Sequence, residues 1–123
     1  MEKRQLGKTD MQVTRLGVGL SEIGFGGISE EVAADVLNAA LDGGINFLDT
    51  AECYNVSEEL VGKAVSHRRS EYFLATKTGH VSGGYTGQEW TAQTVSDSID
   101  RSLKRMKTDY VDLMQLHSCG IKK

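Results

Sequence analysis

Two kinds of hydrophobic segment alternate along this chain of 123 residues. Apolar runs that are too short for helices predict buried strands over residues 16–20, 45–48, 72–76 and 110–116. Between these runs, apolar residues recur with a helical period in segments that begin near Ser29, Ser57 and Thr91. Strands that alternate with helices indicate βαβ units and a parallel sheet with right-handed crossovers. The pattern predicts an α/β fold, and both a doubly wound sheet and a (β/α) barrel satisfy it.

Polar residues locate the ends of several elements. Ser29 and Thr91 are residue types that cap helix N-termini. Residues 4–6 and 11–14 alternate around the turn-prone residues 7–10, which predicts a β-hairpin before the first parallel strand.

The apolar stripes of the helices predict which faces are buried. In the first helix the stripe consists of Val32, Val36, Leu37, Ala40 and Leu41. In the third helix it consists of Val95, Ile99, Leu103 and Met106. Acid-base pairs spaced four residues apart predict the solvent face of the third helix; these are Asp97 with Arg101 and Asp100 with Lys104.

Composition and charge narrow the class of protein. The formal charge of -3 and the pI of about 5.6 give no electrostatic reason to expect a nucleic acid or an anionic membrane as a partner. No segment approaches the roughly 20 consecutive apolar residues that a membrane-spanning helix needs. Two cysteines, Cys53 and Cys119, are too few for a secreted disulfide framework. We therefore expect one soluble domain in the cytoplasm.

The glycine fingerprint of a dinucleotide-binding sheet fits this sequence poorly. Gly17 and Gly19 follow the fingerprint, but Glu22 occupies the position where a third small residue is needed for close helix packing. This mismatch argues against a nucleotide-binding sheet of that kind.

A metal site could combine Cys53, His117 and Cys119 near the strand ends. Their spacing matches no zinc pattern with closely paired ligands, so we predict no metal site. His67 and His80 are expected to be surface residues and not ligands.

Four side chains of complementary chemistry fall at or just past the C-terminal ends of three consecutive predicted strands: Asp49, Tyr54, Lys77 and His117. In a barrel of parallel strands these ends converge, and the chemistry lies there. An ammonium group beside a tyrosine favours its phenolate, which makes the phenol a stronger acid, and a carboxylate holds the ammonium in place. An imidazole can orient a carbonyl oxygen by a hydrogen bond. Singly, each residue has an ordinary structural explanation; together they favour one proton-transfer site.

At these residues the sequence resembles the aldo-keto reductases. Residues 49–62, DTAECYNVSEELVG, resemble the family's signature around its catalytic aspartate and tyrosine, and residues 75–77 resemble its lysine strand. Residues 98–113, SIDRSLKRMKTDYVDL, resemble the helix and strand that lead to the family's histidine at His117. Asn55 stands where the family usually has glycine, and asparagine tolerates left-handed backbone geometry better than most residues.

The resemblance implies the reversible reduction of an aldehyde or ketone by NADP(H). Tyr54 would donate the proton with help from Lys77 and Asp49, and His117 would orient a small carbonyl substrate. The cofactor-binding residues that the resemblance implies, near the nicotinamide, are Gly19, Leu20, Ser21 and Asp49.

Length limits this assignment. A complete barrel of this kind has eight strands and about 250 residues, whereas residues 1–123 supply a hairpin, about four parallel strands and three helices. We expect the N-terminal half of an aldo-keto reductase, an incomplete (β/α)8 TIM barrel that lacks most of the family's NADPH contacts. Open sheet edges favour association, for example as a homo-oligomer. Two hypotheses stay open: a reductase, and a catalytically silent half barrel that serves as a truncated product or as an assembly and binding module.

Overall fold

The computed structural model describes residues 1–118. It begins with a β-hairpin, in which β1 (Lys3–Gln5) pairs antiparallel with β2 (Gln12–Thr14). The Asn46 side chain fastens this hairpin to the rest of the fold, because it accepts from the Thr14 N–H at 2.7 Å and donates to the Gln12 carbonyl at 3.0 Å. The predicted hairpin is confirmed.

Strands and helices alternate through the rest of the described chain. In order they are β3 (Val18–Gly19), α1 (Ser21–Phe25), α2 (Glu30–Asp42), β4 (Phe47–Asp49), α3 (Ser57–Val65), a 3₁₀ helix (Ser66–Glu71), β5 (Phe73–Thr78), α4 (Ala92–Met106) and β6 (Leu113–Leu116). The last four strands form one parallel sheet in the order β3-β4-β5-β6. Strand order does not reverse within the described residues, so the partial TIM barrel is confirmed and the doubly wound alternative is wrong.

The sequence pattern does not predict helix α1. This helix has only five residues, and its N-cap residue, Leu20, makes no side-chain capping bond. A helix this short shows no hydrophobic period. Because the chain turns into α1 directly after Leu20, the strand expected over residues 16–20 is reduced to β3.

The fourth parallel strand begins later than its apolar run suggests. A strand was expected over residues 110–116, but β6 starts at Leu113. The Asp112 N–H donates to the Leu74 carbonyl at 2.9 Å, while the Asp112 carboxylate accepts from the Leu74 N–H at 2.8 Å. A side-chain carboxylate therefore takes the place of a backbone carbonyl at the start of this strand.

Capping bonds confirm two predicted helix starts. Ser29 before α2 and Thr91 before α4 each accept, through the side-chain oxygen, a hydrogen bond of 3.2 Å from the backbone N–H three residues later. Ser57 begins α3 as expected, but its buried hydroxyl does not cap the helix and donates to the Leu20 carbonyl at 2.8 Å. Ser57 thus ties α3 to the end of β3.

The buried face of α2 is rotated relative to the predicted stripe. Ala33, Leu37 and Leu41 are buried, whereas Val32 and Val36 are 48% and 45% exposed. The expectation that Val32 and Val36 are buried is therefore wrong. Hydrophobic periodicity gives a stripe but not its centre, because alanine and valine both count as apolar while only the small Ala33 permits a close approach.

Small hydroxyl side chains dominate the buried face of α4, which consists of Thr94, Ser98, Ser102 and Met106. The predicted stripe residues Val95, Ile99 and Leu103 lie beside this face and are only half-buried. The Ser98 hydroxyl donates to the buried carboxylate of Glu52, and the Thr94 hydroxyl donates to the Gln88 carbonyl, which explains why these two polar residues face inward. The predicted stripe is thus correct at Met106 and displaced by one residue elsewhere.

The hydrophobic core lies between the sheet and the helices. Fully buried residues from strands and helices meet there, among them Leu37, Leu48, Val61, Leu74 and Met106. Within residues 1–118, no helix is both long enough and apolar enough to cross a membrane.

Candidate active site

The carboxyl ends of β4 and β5 bring Asp49 and Lys77 together. Asp49 is the last residue of β4, and Lys77 lies one residue before the end of β5. The Lys77 ammonium donates to Asp49 Oδ2 at 2.9 Å and to the Thr50 carbonyl at 2.8 Å. Gln115 of β6 donates to the other carboxylate oxygen, Asp49 Oδ1, at 3.0 Å. The carboxylate and the ammonium are therefore fixed by partners from three adjacent strands.

Gln115 was not predicted from the sequence. A signal exists, because side chains alternate along a strand and Gln115 lies two residues before His117 and in register with Lys77. A polar side chain at that position in an apolar strand faces the same side of the sheet as the candidate site.

Tyr54 lies in the loop between β4 and α3. The Lys77 ammonium nitrogen is 4.9 Å from the centre of the Tyr54 ring, within the range of a cation–π contact. The edge of the Phe25 ring also approaches Tyr54, with ring centres 6.3 Å apart. No residue of the described chain forms a hydrogen bond with the Tyr54 hydroxyl, which leaves this group available to a bound molecule.

Two neighbouring residues fix the backbone at Tyr54. Asn55 adopts a left-handed conformation with φ of 49°, and its side-chain amide donates to the Gly24 carbonyl at 3.0 Å. A Cβ atom on Gly24 would come within 1.9 Å of the Tyr54 carbonyl oxygen. The tyrosine loop therefore depends on a glycine in α1 and on the left-handed geometry that Asn55 tolerates.

His117 follows β6 and is anchored through its backbone. Its N–H donates to the Thr78 carbonyl at 2.9 Å, and its carbonyl accepts from the Trp90 indole N–H at 3.1 Å. The His117 ring meets the Tyr54 ring edge to face, with centres 5.9 Å apart. These contacts hold the imidazole beside the phenol, as the sequence predicts.

Two further groups approach the His117 ring. His117 Nδ1 lies 3.3 Å from the sulfur of Cys53, and the His80 ring centre is 5.0 Å away. Burial lowers the pKa of His117 below its ordinary value, and the nearby His80 and Lys77 lower it further, against a smaller opposing effect of Asp49. The imidazole is therefore neutral near pH 7.

His80 belongs to the edge of this site. The sequence suggested a surface residue, but His80 is half-buried, with Nδ1 3.1 Å from Glu89 Oε1 and its ring edge against Trp90. The His80 side chain is 28% exposed, so it stays at the surface, but its contacts with the edge of the site were not predicted, whereas His67 is exposed as predicted. The glycine-rich loop folds back over the strand end, which local sequence does not reveal.

A buried ion network lies beneath the tyrosine loop. Glu52 forms an ion pair with Arg101 at 2.6 Å. Glu58 accepts a hydrogen bond from the Thr76 hydroxyl at 2.7 Å and forms an ion pair with Arg105 at 3.4 Å. Burial raises the pKa of Glu58, and hydrogen bonds from Thr76 and its other neighbours oppose that rise.

The predicted surface pairing of Arg101 with Asp97 is wrong, because Arg101 turns inward to Glu52. Acidic residues at a helix start give no signal of such burial.

The predicted cofactor residues lie at the end of β3 and at Asp49. Gly19 is exposed and in register with Asp49, and apart from its chain neighbours no atom of residues 1–118 lies within 4 Å of the position of a Cβ on Gly19. Leu20 is 1% exposed and packs in the core, while its N–H donates to the Asp49 carbonyl at 2.9 Å. Ser21 begins α1. Open space and exposed backbone at Gly19 are compatible with a cofactor there, and the assignment stays a prediction.

No cluster of three His, Cys, Asp or Glu residues that could hold a metal ion occurs in the part of the chain that the structure describes. Cys119, one of the three residues considered for such a site, lies outside the described residues.

Comparisons with known proteins show which family the chain resembles. The model of the aldo/keto reductase family matches residues 15–122. An uncharacterized oxidoreductase of Bacillus subtilis, YqkF, is 38% identical over 122 residues, which are 95% of this chain and 39% of that protein.

Two solved structures superpose closely. A putative aldo-keto reductase from Pseudomonas aeruginosa is 36% identical with a TM-score of 0.86, over 96% of this chain and 47% of the other. The holo form of aldo-keto reductase AKR11C1 from Bacillus halodurans is 39% identical with a TM-score of 0.84, over 94% of this chain and 40% of the other. The chain thus spans less than half the length of these proteins. By sequence and by structure, it belongs to the aldo-keto reductase family.

Proposed function

We propose that this protein reduces small aldehydes or ketones to alcohols with NADP(H) as the reductant, in the cytoplasm. The observation that carries the proposal is the contact set of Lys77, which bonds to Asp49 Oδ2 and lies over the Tyr54 ring beside His117. An acid, a phenol, an amine and an imidazole at one end of a parallel sheet suit proton transfer to a carbonyl oxygen.

Tyr54 acts as the proton donor in this proposal. Its hydroxyl has no hydrogen-bond partner among residues 1–118, and the Lys77 ammonium lies 4.9 Å from its ring centre. A positive charge at that distance stabilises the phenolate that remains after the proton leaves. Asp49 and the Thr50 carbonyl hold the ammonium in position. General acid catalysis of this kind contributes about 10² to 10⁴ in rate.

His117 orients the carbonyl group. Its pKa is lowered, chiefly by burial, so the ring is neutral near pH 7 and one ring nitrogen carries a proton. A carbonyl oxygen has only lone pairs and needs donors, and a donor on His117 beside the Tyr54 hydroxyl supplies the second one. Two donors fix both the position and the direction of the oxygen.

NADPH fits the open end of β3. Gly19 is exposed with open space beside it, so its backbone and that of Ser21 could contact a cofactor next to Asp49. The Leu20 side chain is buried in the core and makes no such contact. When bound, NADPH supplies the hydride that the carbonyl carbon accepts.

Fluorescence titration with NADPH, followed by turnover of 4-nitrobenzaldehyde, tests the proposal. We expect saturable NADPH binding and turnover of the aldehyde.

The Tyr54→Phe change should lower kcat by about 10² to 10⁴ because it removes the proton donor, and it should preserve NADPH affinity. Turnover at the wild-type rate in Tyr54→Phe would refute the role of Tyr54. Absence of saturable NADPH binding would instead support the second candidate, a catalytically silent half barrel.

A further inference from the structure

We propose that Cys53 is a positioning residue whose thiol donates a hydrogen bond to Nδ1 of His117 and so holds the proton of that imidazole on Nε2. Cys53 Sγ and His117 Nδ1 are 3.3 Å apart, although the two residues are 64 positions apart in the chain. The inference rests on the proposed function, because Cys53 acts on the reaction only through the carbonyl-binding role of His117.

The protonation states of the two partners favour this hydrogen bond. Burial raises the pKa of the Cys53 thiol, while its backbone environment and Lys77 oppose that rise. The pKa of His117 is lowered by burial and then by His80 and Lys77. A neutral thiol therefore faces a neutral imidazole near pH 7, and one of them must supply the shared proton.

The chemistry of the two atoms sets the direction of the bond. Thiol sulfur is a weak acceptor, whereas an unprotonated imidazole nitrogen is a good one. The S–H group therefore donates to Nδ1, and the imidazole proton resides on Nε2 at the other edge of the ring.

The groups around His117 leave this role to Cys53. Tyr54 shares the loop of Cys53, Lys77 and Asp49 belong to β5 and β4, and His80 approaches from the loop after β5. Among residues 1–118, Cys53 is the residue that forms a hydrogen bond with the imidazole ring. The backbone groups of His117 are already bonded to Thr78 and Trp90, so the ring has a fixed frame.

The tautomer decides whether Nε2 of His117 can donate a hydrogen bond to a carbonyl oxygen. With the proton on Nε2, that nitrogen is a donor; with the proton on Nδ1, it presents a lone pair that repels the oxygen. Cys53 thus selects the tautomer in which the histidine orients a carbonyl.

Nitrogen-15 NMR of the protein measures the tautomer directly. The two ring nitrogens of a neutral histidine have distinct shifts, and His67→Gln and His80→Gln variants assign the signals of His117. We expect His117 to be mainly the Nε2–H form in the wild type. Cys53→Ala should lower the ratio of the Nε2–H to the Nδ1–H form by about 2- to 10-fold, the range that one neutral hydrogen bond covers. Cys53→Ser, which keeps a donor, should preserve the ratio.

Kinetics then connect the tautomer to the reaction. For 4-nitrobenzaldehyde, Cys53→Ala should lower kcat/KM by about 2- to 10-fold, whereas Cys53→Ser should keep the wild-type value. Equal losses in both variants would indicate packing and overturn the inference. An unchanged tautomer ratio in Cys53→Ala, a wild-type His117 protonated on Nδ1, or thiolate absorbance of Cys53 near 240 nm at pH 7 would each overturn it as well. If the wild type shows no turnover, the proposed function fails, and the NMR ratios alone support or overturn the hydrogen bond.

Discussion

At the scale of single residues, one ammonium group organises the candidate site. Lys77 donates to Asp49 and to the Thr50 carbonyl and lies over the Tyr54 ring, while Gln115 holds the second oxygen of Asp49. Charge-assisted hydrogen bonds of this kind are short and well directed. Lys77 and Asp49 therefore bond to each other, and in the proposed reaction the Tyr54 hydroxyl and the His117 ring are the groups that would contact the carbonyl.

His117 makes stability depend on pH. Its pKa in the folded protein is lowered below the ordinary value of 6.5, mainly by burial and also by His80 and Lys77. Between the folded pKa and about 6.5, the unfolded chain binds more protons at this residue than the folded protein does. The contribution of His117 to the free energy of unfolding is therefore fully present above pH 6.5 and is lost as the pH falls through that window.

Urea denaturation at several pH values checks this expectation. The free energy of unfolding of the wild type should rise with pH below about 6.5, by less than the roughly 1.4 kcal/mol per pH unit of one full proton, because the unfolded and folded states differ by less than one bound proton at His117. His117→Gln should flatten the rise, and exposed His67→Gln is the matched control that should keep it. The same slope in wild type and His117→Gln would contradict the assignment to His117.

At the scale of elements, α3 and α4 pack closely because of one glycine. A Cβ on Gly62 of α3 would come within 2.2 Å of the Arg105 carbonyl oxygen in α4. The close approach allows Arg105 and Arg101 of α4 to reach Glu58 and Glu52 beneath the tyrosine loop. Helix packing therefore supports the loop that carries Tyr54.

The Gly62→Ala change tests this packing. The added methyl group must push α4 away, so we expect the free energy of unfolding to fall by about 1–3 kcal/mol, despite the higher helix propensity of alanine. Gly19→Ala is the matched control for stability, since within the described part of the chain only its sequence neighbours lie within 4 Å of the added methyl group. Urea denaturation that finds equal stability for the two variants would refute the role of Gly62.

At the scale of the whole molecule, the sheet has two edges. Within the described residues, β3 pairs only with β4, and β6 pairs only with β5. The comparisons match this chain to 39% to 47% of longer proteins. We propose that residues 1–123 correspond to the N-terminal half of the barrel and that the open edges pair with further β-structure, for example in a second copy.

Sedimentation velocity measures this association. Over a range of concentrations, the 123-residue chain should sediment as species heavier than its 13.4 kDa monomer, because unpaired strand edges and exposed apolar side chains favour pairing. Dilution should shift the distribution toward the monomer. A single stable monomer at every concentration would contradict the prediction.

Local patterns predicted most elements and part of the site. Alternation and periodicity gave the hairpin, four parallel strands and three longer helices, and capping chemistry located Ser29 and Thr91. They did not predict α1, because a helix of five residues is too short to show a repeating pattern of apolar positions. They also misplaced the buried faces of α2 and α4, because the close approach of neighbouring helices, and not hydrophobicity alone, decides which small residues turn inward.

The sequence by itself determined the order of the hairpin, the four parallel strands and the three longer helices, and it singled out Asp49, Tyr54, Lys77 and His117 as candidates, because strand periodicity and residue chemistry are local properties. Only the tertiary structure decided which groups touch those four. Gln115 on Asp49 and Cys53 on His117 are contacts across 66 and 64 positions of chain. Such contacts depend on strand register and helix packing, which no local pattern encodes.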